Sequence, residues 1–157
     1  MSSPRAPFDR WPVQTHAEGI GFAWYTSPAA FVNQLTSRRG TVEAAHWLHD
    51  LIDHVLERER ADIERHGGLL IVHDWRALEG YDVEARRAFL GRMKRRRPGY
   101  MRRAVAVLPD TPLLRMAVQT ANLAMALHIG GKLEMTNDPV PVLASLGVRA
   151  PTTATWR

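Results

Sequence analysis

Gly68-Leu69-Leu70-Ile71-Val72-His73-Asp74-Trp75-Arg76-Ala77-Leu78-Glu79-Gly80-Tyr81-Asp82-Val83-Glu84-Ala85 reads as strand, loop and helix start in direct succession. The apolar run 69–72, with β-branched Ile71 and Val72 behind a pair of glycines, suits a strand covered on both faces. Asp74 marks its end. Asp82 is placed as the N-cap of the next helix, where a carboxylate can accept from free N–H groups, and Glu84 adds negative charge that complements the helix dipole. The loop 74–84 therefore sits at the carboxyl edge of a strand, which is where binding sites form in open α/β sheets.

Working outward, a chain of 157 residues with 45% hydrophobic and 24% charged residues fits one globular domain with a single core. It contains no cysteine, which excludes disulfides, Cys-ligated zinc, iron–sulfur clusters and thiol nucleophiles. Residues 1–10 lack the apolar centre of a signal peptide, and no run of about 20 apolar residues is present to span a bilayer. The expected location is cytoplasmic, with residues 1–9 and 148–157 as flexible tails.

The net charge of +5 is unevenly spread. Residues 50–64 carry Asp50, Asp53, Glu57, Glu59, Asp62 and Glu64, whereas residues 86–103 carry Arg86, Arg87, Arg92, Lys94, Arg95, Arg96, Arg97, Arg102 and Arg103 without an acid. Such a block engages phosphates or acidic partners, but it is foremost a solvated helix end. No zipper, finger or aromatic-rich motif accompanies it, so no sequence-specific nucleic-acid binding is expected.

In chain order, 11–16 and 20–25 read as a β-hairpin around a glycine-containing loop. Ser27-Pro28 resembles a cap with proline at the first helical position, which predicts a short helix over 29–35 and a helical insertion near 27–40. Thr41 caps a long helix over 42–66 with an inward stripe of Ala45, Leu48, Ile52, Val55 and Ile63, and Gly67-Gly68 stops it. On its flank His46, His49 and Asp53 share one arc, but the spacing is not a zinc signature and they are read as a solvated face, with no metal expected. Trp47 and Leu51 point away from that stripe and offer a second contact surface. A helix over 83–93, a buried strand over 104–108, a helix over 113–129 entered at Thr111-Pro112, a strand over 132–136 and a short helix from Asp138-Pro139 complete the order. The helix over 113–129 is apolar on two stripes, Leu113, Met116, Leu123 and Leu127 beside Leu114, Val118, Met125 and Ile129. It is read as core, with the excess available to a partner subunit, a second copy of the chain included, or to an apolar ligand.

The alternation calls for an α/β fold: a mixed, mainly parallel sheet of four to five strands with an N-terminal hairpin and packed helices. Dinucleotide, P-loop and hydrolase-elbow motifs are absent, and no cofactor is expected.

On these residues the chain resembles the STAS domain, the anti-sigma-factor antagonist fold, and in particular its SpoIIAA-like branch, which is grouped with SEC14-type lipid binders. Asp74-Trp75-Arg76-Ala77-Leu78 matches the family's first loop pattern and Asp82-Val83-Glu84-Ala85 the pattern that opens its helix. The likeness runs over about residues 11–147, with one domain spanning 10–147. It implies a bacterial signalling module that docks a protein partner through the helix start. Glu84 stands where phospho-switched members carry their serine, so that switch is absent or fixed. The expected partner-binding set is Asp74, Arg76, Tyr81, Glu84 and Arg87, in one exposed patch, with Asp82 as a structural cap.

Three function classes compete on these residues. The leading one is a non-catalytic interaction module using residues 74–87. The alternative is a small-molecule or lipid carrier with an apolar pocket near helix 113–129. An enzyme is the third, with His73, Asp74, Asp82 and Glu84 as acid/base candidates, but no nucleophile signature joins them and no catalytic residue is assigned.

Overall fold

The structure, a computed structural model, describes residues 5–128, 131–154 and 156. Strands β1 (Thr15–Ala17), β2 (Gly21–Thr26) and β3 (Ala30–Leu35) form an antiparallel meander. After β4 (Arg39–Gly40) come α1 (Val42–Arg58) and α2 (Arg60–Arg65), then β5 (Leu69–Asp74). β6 (Gly80–Tyr81), α3 (Val83–Lys94), β7 (Met101–Val107), α4 (Pro112–His128), β8 (Leu133–Thr136) and α5 (Pro139–Ser145) follow. The main sheet has six strands in the order β1-β2-β3-β5-β7-β8. β3, β5, β7 and β8 run parallel. The sheet is thus mixed and mainly parallel, as expected, but it is larger than four to five strands.

The extra strand is β3, and it replaces the helix expected over 29–35. Every residue of β3 is buried, and Phe31 and Val32 prefer the pleated, half-enclosed surface of a sheet over a helix. Ser27-Pro28 lies in a tight connection that turns β2 back into β3, so the helical insertion near 27–40 does not exist. Gly21 makes that meander possible: a Cβ there would lie 2.1 Å from the Gln34 carbonyl oxygen, closer than any side chain tolerates.

Side chains alternate across the strands. Phe31 and Leu35 of β3, Leu69 and Ile71 of β5 and Ala104 and Ala106 of β7 face the layer of α1 to α4. Ala30, Val32, Leu70, Val72 and Val107 face the opposite way, toward Phe8, Phe22, Trp24 and Leu143. The expected N-terminal tail is therefore partly structural. Phe8, in a 3-10 turn over Phe8–Arg10, is fully buried, stacks on Trp24 at 4.9 Å and meets Trp11 edge-on. The C-terminal tail is also held. Trp156 packs on Phe31 and His54, and the Thr26 hydroxyl donates to the Arg149 carbonyl at 2.6 Å.

The long helix expected over 42–66 is two helices broken at Glu59. Its start is as read: the Ala44 N–H donates to the Thr41 hydroxyl at 3.1 Å. Asp138 caps α5 in the same manner, accepting from Val140 N–H at 3.0 Å. Thr111 does not cap α4, because its buried hydroxyl has no partner among the described residues. Ile129 and Gly130, expected at the end of α4, lie outside the described residues.

Only half of the expected α4 core is core. Leu114, Val118 and Met125 are buried, whereas Leu113, Met116, Leu123 and Leu127 are exposed, Leu127 by 82%. A single helix over one edge of a sheet has one inward stripe, and the second stripe has nothing beneath it.

Candidate functional site

The loop after β5 is built on a buried carboxylate. Asp74 is 1% exposed and accepts from Arg76 Nε at 2.9 Å, Arg76 Nη2 at 2.8 Å, the Arg76 backbone N–H at 3.1 Å and Gln34 Nε2 at 3.0 Å. Four donors around one carboxylate offset its desolvation. The Asp74 hydrogen bonds in turn raise the Arg76 guanidinium above its ordinary value, against the opposing effect of partial burial. Arg76 also reaches the Ala6 carbonyl at 3.4 Å, tying the loop to the N-terminal segment.

Next the chain makes a two-stranded parallel ladder between β4 and β6, extended by Glu79 N–H to the Arg38 carbonyl and Asp82 N–H to the Gly40 carbonyl. Asp82 occupies the N-cap position of α3, yet its side chain makes no capping bond. It accepts from Arg39 Nε at 2.5 Å instead. The ladder explains the change: with Gly40 and Tyr81 in register, Arg39 lies beside the helix start and competes for the carboxylate.

The expected recognition set is thereby dispersed. Asp74 is buried and Arg76 is committed to it, so neither belongs to an open patch. Tyr81 is half-buried and faces inward. Of the set, only Glu84 and Arg87 are exposed, both on α3. Nor do the acid/base candidates converge. His73 and Asp74 are consecutive residues of a strand and point to opposite faces of the sheet.

Tyr81 points into a partly open cavity of about 110 Å³ over the carboxyl ends of β3 and β5, enclosed by α1, α3 and α4. Trp75, Leu78 and Tyr81 of the loop form one wall, Ala44, Ala45 and Leu48 of α1 a second, Ala85 and Phe89 of α3 a third, and Leu114, Ala117, Val118 and Ala121 of α4 the fourth. The space exists because the facing positions on three helices are alanines, whose methyl groups cannot fill the gap between helix axes about 8–10 Å apart. Arg86 is a cation at the lining, and its guanidinium has no ion-pair or hydrogen-bond partner among the described residues.

α1 and α3 are clamped below this cavity. Arg92 pairs with Asp50 at 2.5 Å and Asp53 at 2.7 Å, and Arg96 pairs with Asp53 at 2.6 Å. The acidic and basic runs of the sequence thus partly neutralise each other, and Arg103 pairs with Glu134 at 2.7 Å. His49, expected on a solvated face with His46 and Asp53, is 1% exposed; Arg96 Nη1 lies 2.6 Å from its Nδ1. Burial and the neighbouring Arg96 push the His49 pKa down to about 2. His73 is likewise buried, which pushes its pKa down to about 3. No cluster of three or more metal-ligating side chains occurs among the described residues.

Trp75, Phe89, Arg86, His49 and the alanines of α4 were not selected from sequence as site residues. The spacing of Ala117 and Ala121, one turn apart on α4, was the signal available.

No protein-family model matches the chain, and no curated protein matches it. Among solved structures it is similar to an uncharacterised protein of the DUF3478 family with a SpoIIAA-like fold from Shewanella loihica PV-4. The TM-score is 0.56 and the identity 15%, over 84% of this chain and 97% of that one. The chain therefore has a mixed α/β fold of the STAS/SpoIIAA-like kind, carrying an apolar cavity beside the loop that the family pattern singled out.

Proposed function

We propose that the protein is a non-catalytic STAS-like binding module whose ligand is a small apolar molecule held in the cavity between α1, α3 and α4. This is the carrier reading of the sequence, joined to the loop of the docking reading, since residues 75–86 line the cavity. The single observation that carries it is the space itself: about 110 Å³ with almost wholly apolar walls. An empty apolar cavity of this order admits a ring the size of benzene, and natural ligand sites are concave and apolar with few polar groups. The fold of the Shewanella relative supports a STAS-like module.

The catalytic alternative has less support, because His73, Asp74 and Asp82 face three different environments. Docking of a protein partner is favoured by one feature, the exposed Glu84 and Arg87 next to the cavity wall; a ligand that orders Tyr81 would be read out there.

Calorimetric titration with toluene tests the reading. Saturable 1:1 binding at about millimolar affinity or tighter is expected, since about 4 kcal/mol is within reach of seven non-hydrogen atoms. Ala117→Leu, which fills the cavity from α4, should abolish it while leaving the melting temperature within a few degrees. Absence of saturable binding to the wild type, or equal binding by the folded variant, would refute the proposal.

A further inference from the structure

Beneath the cavity lies a smaller, more enclosed chamber of about 20 Å³. Phe89, Ala121 and Leu133 line both spaces, so the chamber adjoins the cavity across these three side chains. Its remaining walls are largely carbon, but two imidazoles, His49 and His73, and the phenol of Tyr100 are among the lining side chains.

The hydrogen-bond network fixes what each ring presents. A guanidinium only donates, so with Arg96 Nη1 at 2.6 Å the Nδ1 of His49 accepts, and the ring proton resides on Nε2. That Nε2–H is buried and has no partner among the described residues. On His73 the assignment is reversed. Asn33 Nδ2 donates to the Val72 carbonyl at 3.2 Å, which orients the amide so that Asn33 Oδ1 accepts from His73 Nδ1 at 3.0 Å. The free Nε2 of His73 is then an acceptor. Both rings are held neutral by burial.

The two imidazoles therefore offer one donor and one acceptor in largely apolar surroundings. A carboxylate could accept from His49 but has nothing to donate to His73, and its charge would be desolvated. An ammonium group fails in the opposite sense. A hydroxyl satisfies both rings at once, and about 20 Å³ exceeds the roughly 10–15 Å³ that a water-sized oxygen needs.

We infer that the inner chamber is a hydroxyl subsite: the ligand is a neutral apolar alcohol or phenol whose oxygen accepts from His49 Nε2–H and donates to His73 Nε2, while its carbon body fills the outer cavity. This rests on the cavity being a ligand site. Phe89, packed edge-on against His49 at 4.6 Å and near His73 at 5.7 Å, lines both spaces and is the side chain that such a ligand would pass.

Phenol and toluene, titrated into the wild type and into His49→Leu, test it, since the comparison cancels the different hydration of the two probes. Loss of one buried hydrogen bond should weaken phenol at least about tenfold in the variant, with toluene changed less than about threefold. If toluene binds both proteins and phenol loses no more than toluene does, the hydroxyl subsite is wrong and the cavity reading stands. If toluene does not bind the wild type, both fall. Should His49→Leu not fold, the wild type decides. Its His49 Nε2–H resonance should move downfield at phenol saturation and not at toluene saturation, whereas the absence of a phenol-specific shift would mean that the chamber holds only water.

Discussion

The two faces of the sheet are filled in opposite ways. On one face Phe8, Trp11, Phe22 and Trp24 pack ring against ring, with centroids 4.9–6.2 Å apart, and Asp74 with four donors closes its edge. On the other, α1, α3 and α4 meet across alanines and leave two adjoining spaces, with an imidazole N–H that has no partner among the described residues at the inner one. Large rings on a short covering segment close a layer, whereas small residues on long helices hold it open. Both faces bury a hydrophobic cluster, but only the second leaves the space that the proposed ligand would fill.

The largest effect that would break this contrast is on the closed face. Trp24→Ala removes a fully buried ring and should cost about 4 kcal/mol in denaturant unfolding; a cost below about 1 kcal/mol would show that the aromatic layer is not tightly packed. Asp74→Ala leaves Gln34 and Arg76 without their acceptor and should cost about 3 kcal/mol, the Arg76 side chain being partly solvated.

On the helical face the expected effect is linked to pH. His49 and His73 have folded pKa values far below the ordinary 6.5, so the unfolded chain takes up protons that the folded one refuses. Their contribution is intact above pH 6.5 and is lost progressively as pH falls toward 3. Between pH 7 and 5 each should remove about 2 kcal/mol of stability, and neither ring should titrate by NMR above pH 4 in the folded protein. Titration near 6.5 would place these rings in solvent and dissolve the inner chamber. The smallest effect belongs to Asp82→Ala. Because the carboxylate pairs with a largely exposed Arg39 rather than capping α3, the loss should stay below about 1 kcal/mol.

Much of the fold was legible in residues 68–85. A buried apolar run followed by a helix start marked β5 and α3 in succession, and 104–108 marked β7 beside β5. The error at β3 arose because Ser-Pro is a helix-entry pattern by local chemistry, while burial on both faces of a central strand is a tertiary condition with no local sign. The site was only half legible. Residues 74–87 read from sequence as one exposed patch, whereas Trp75, Leu78 and Tyr81 line the cavity, because sequence shows that Asp74 and Tyr81 are polar and not that the chain folds them inward. The cavity follows from alanines on three separate helices facing one another, a coincidence that no single periodicity contains.

The most direct measurement is ¹³C-methyl NMR of the protein titrated with toluene. Saturable shifts are expected at Leu48, Leu114, Ala117 and Val118 around the cavity, with Leu70, Val72 and Leu143 on the closed face unmoved. Shifts absent from the first group, or spread equally over both, would contradict the assignment of binding to the helical face.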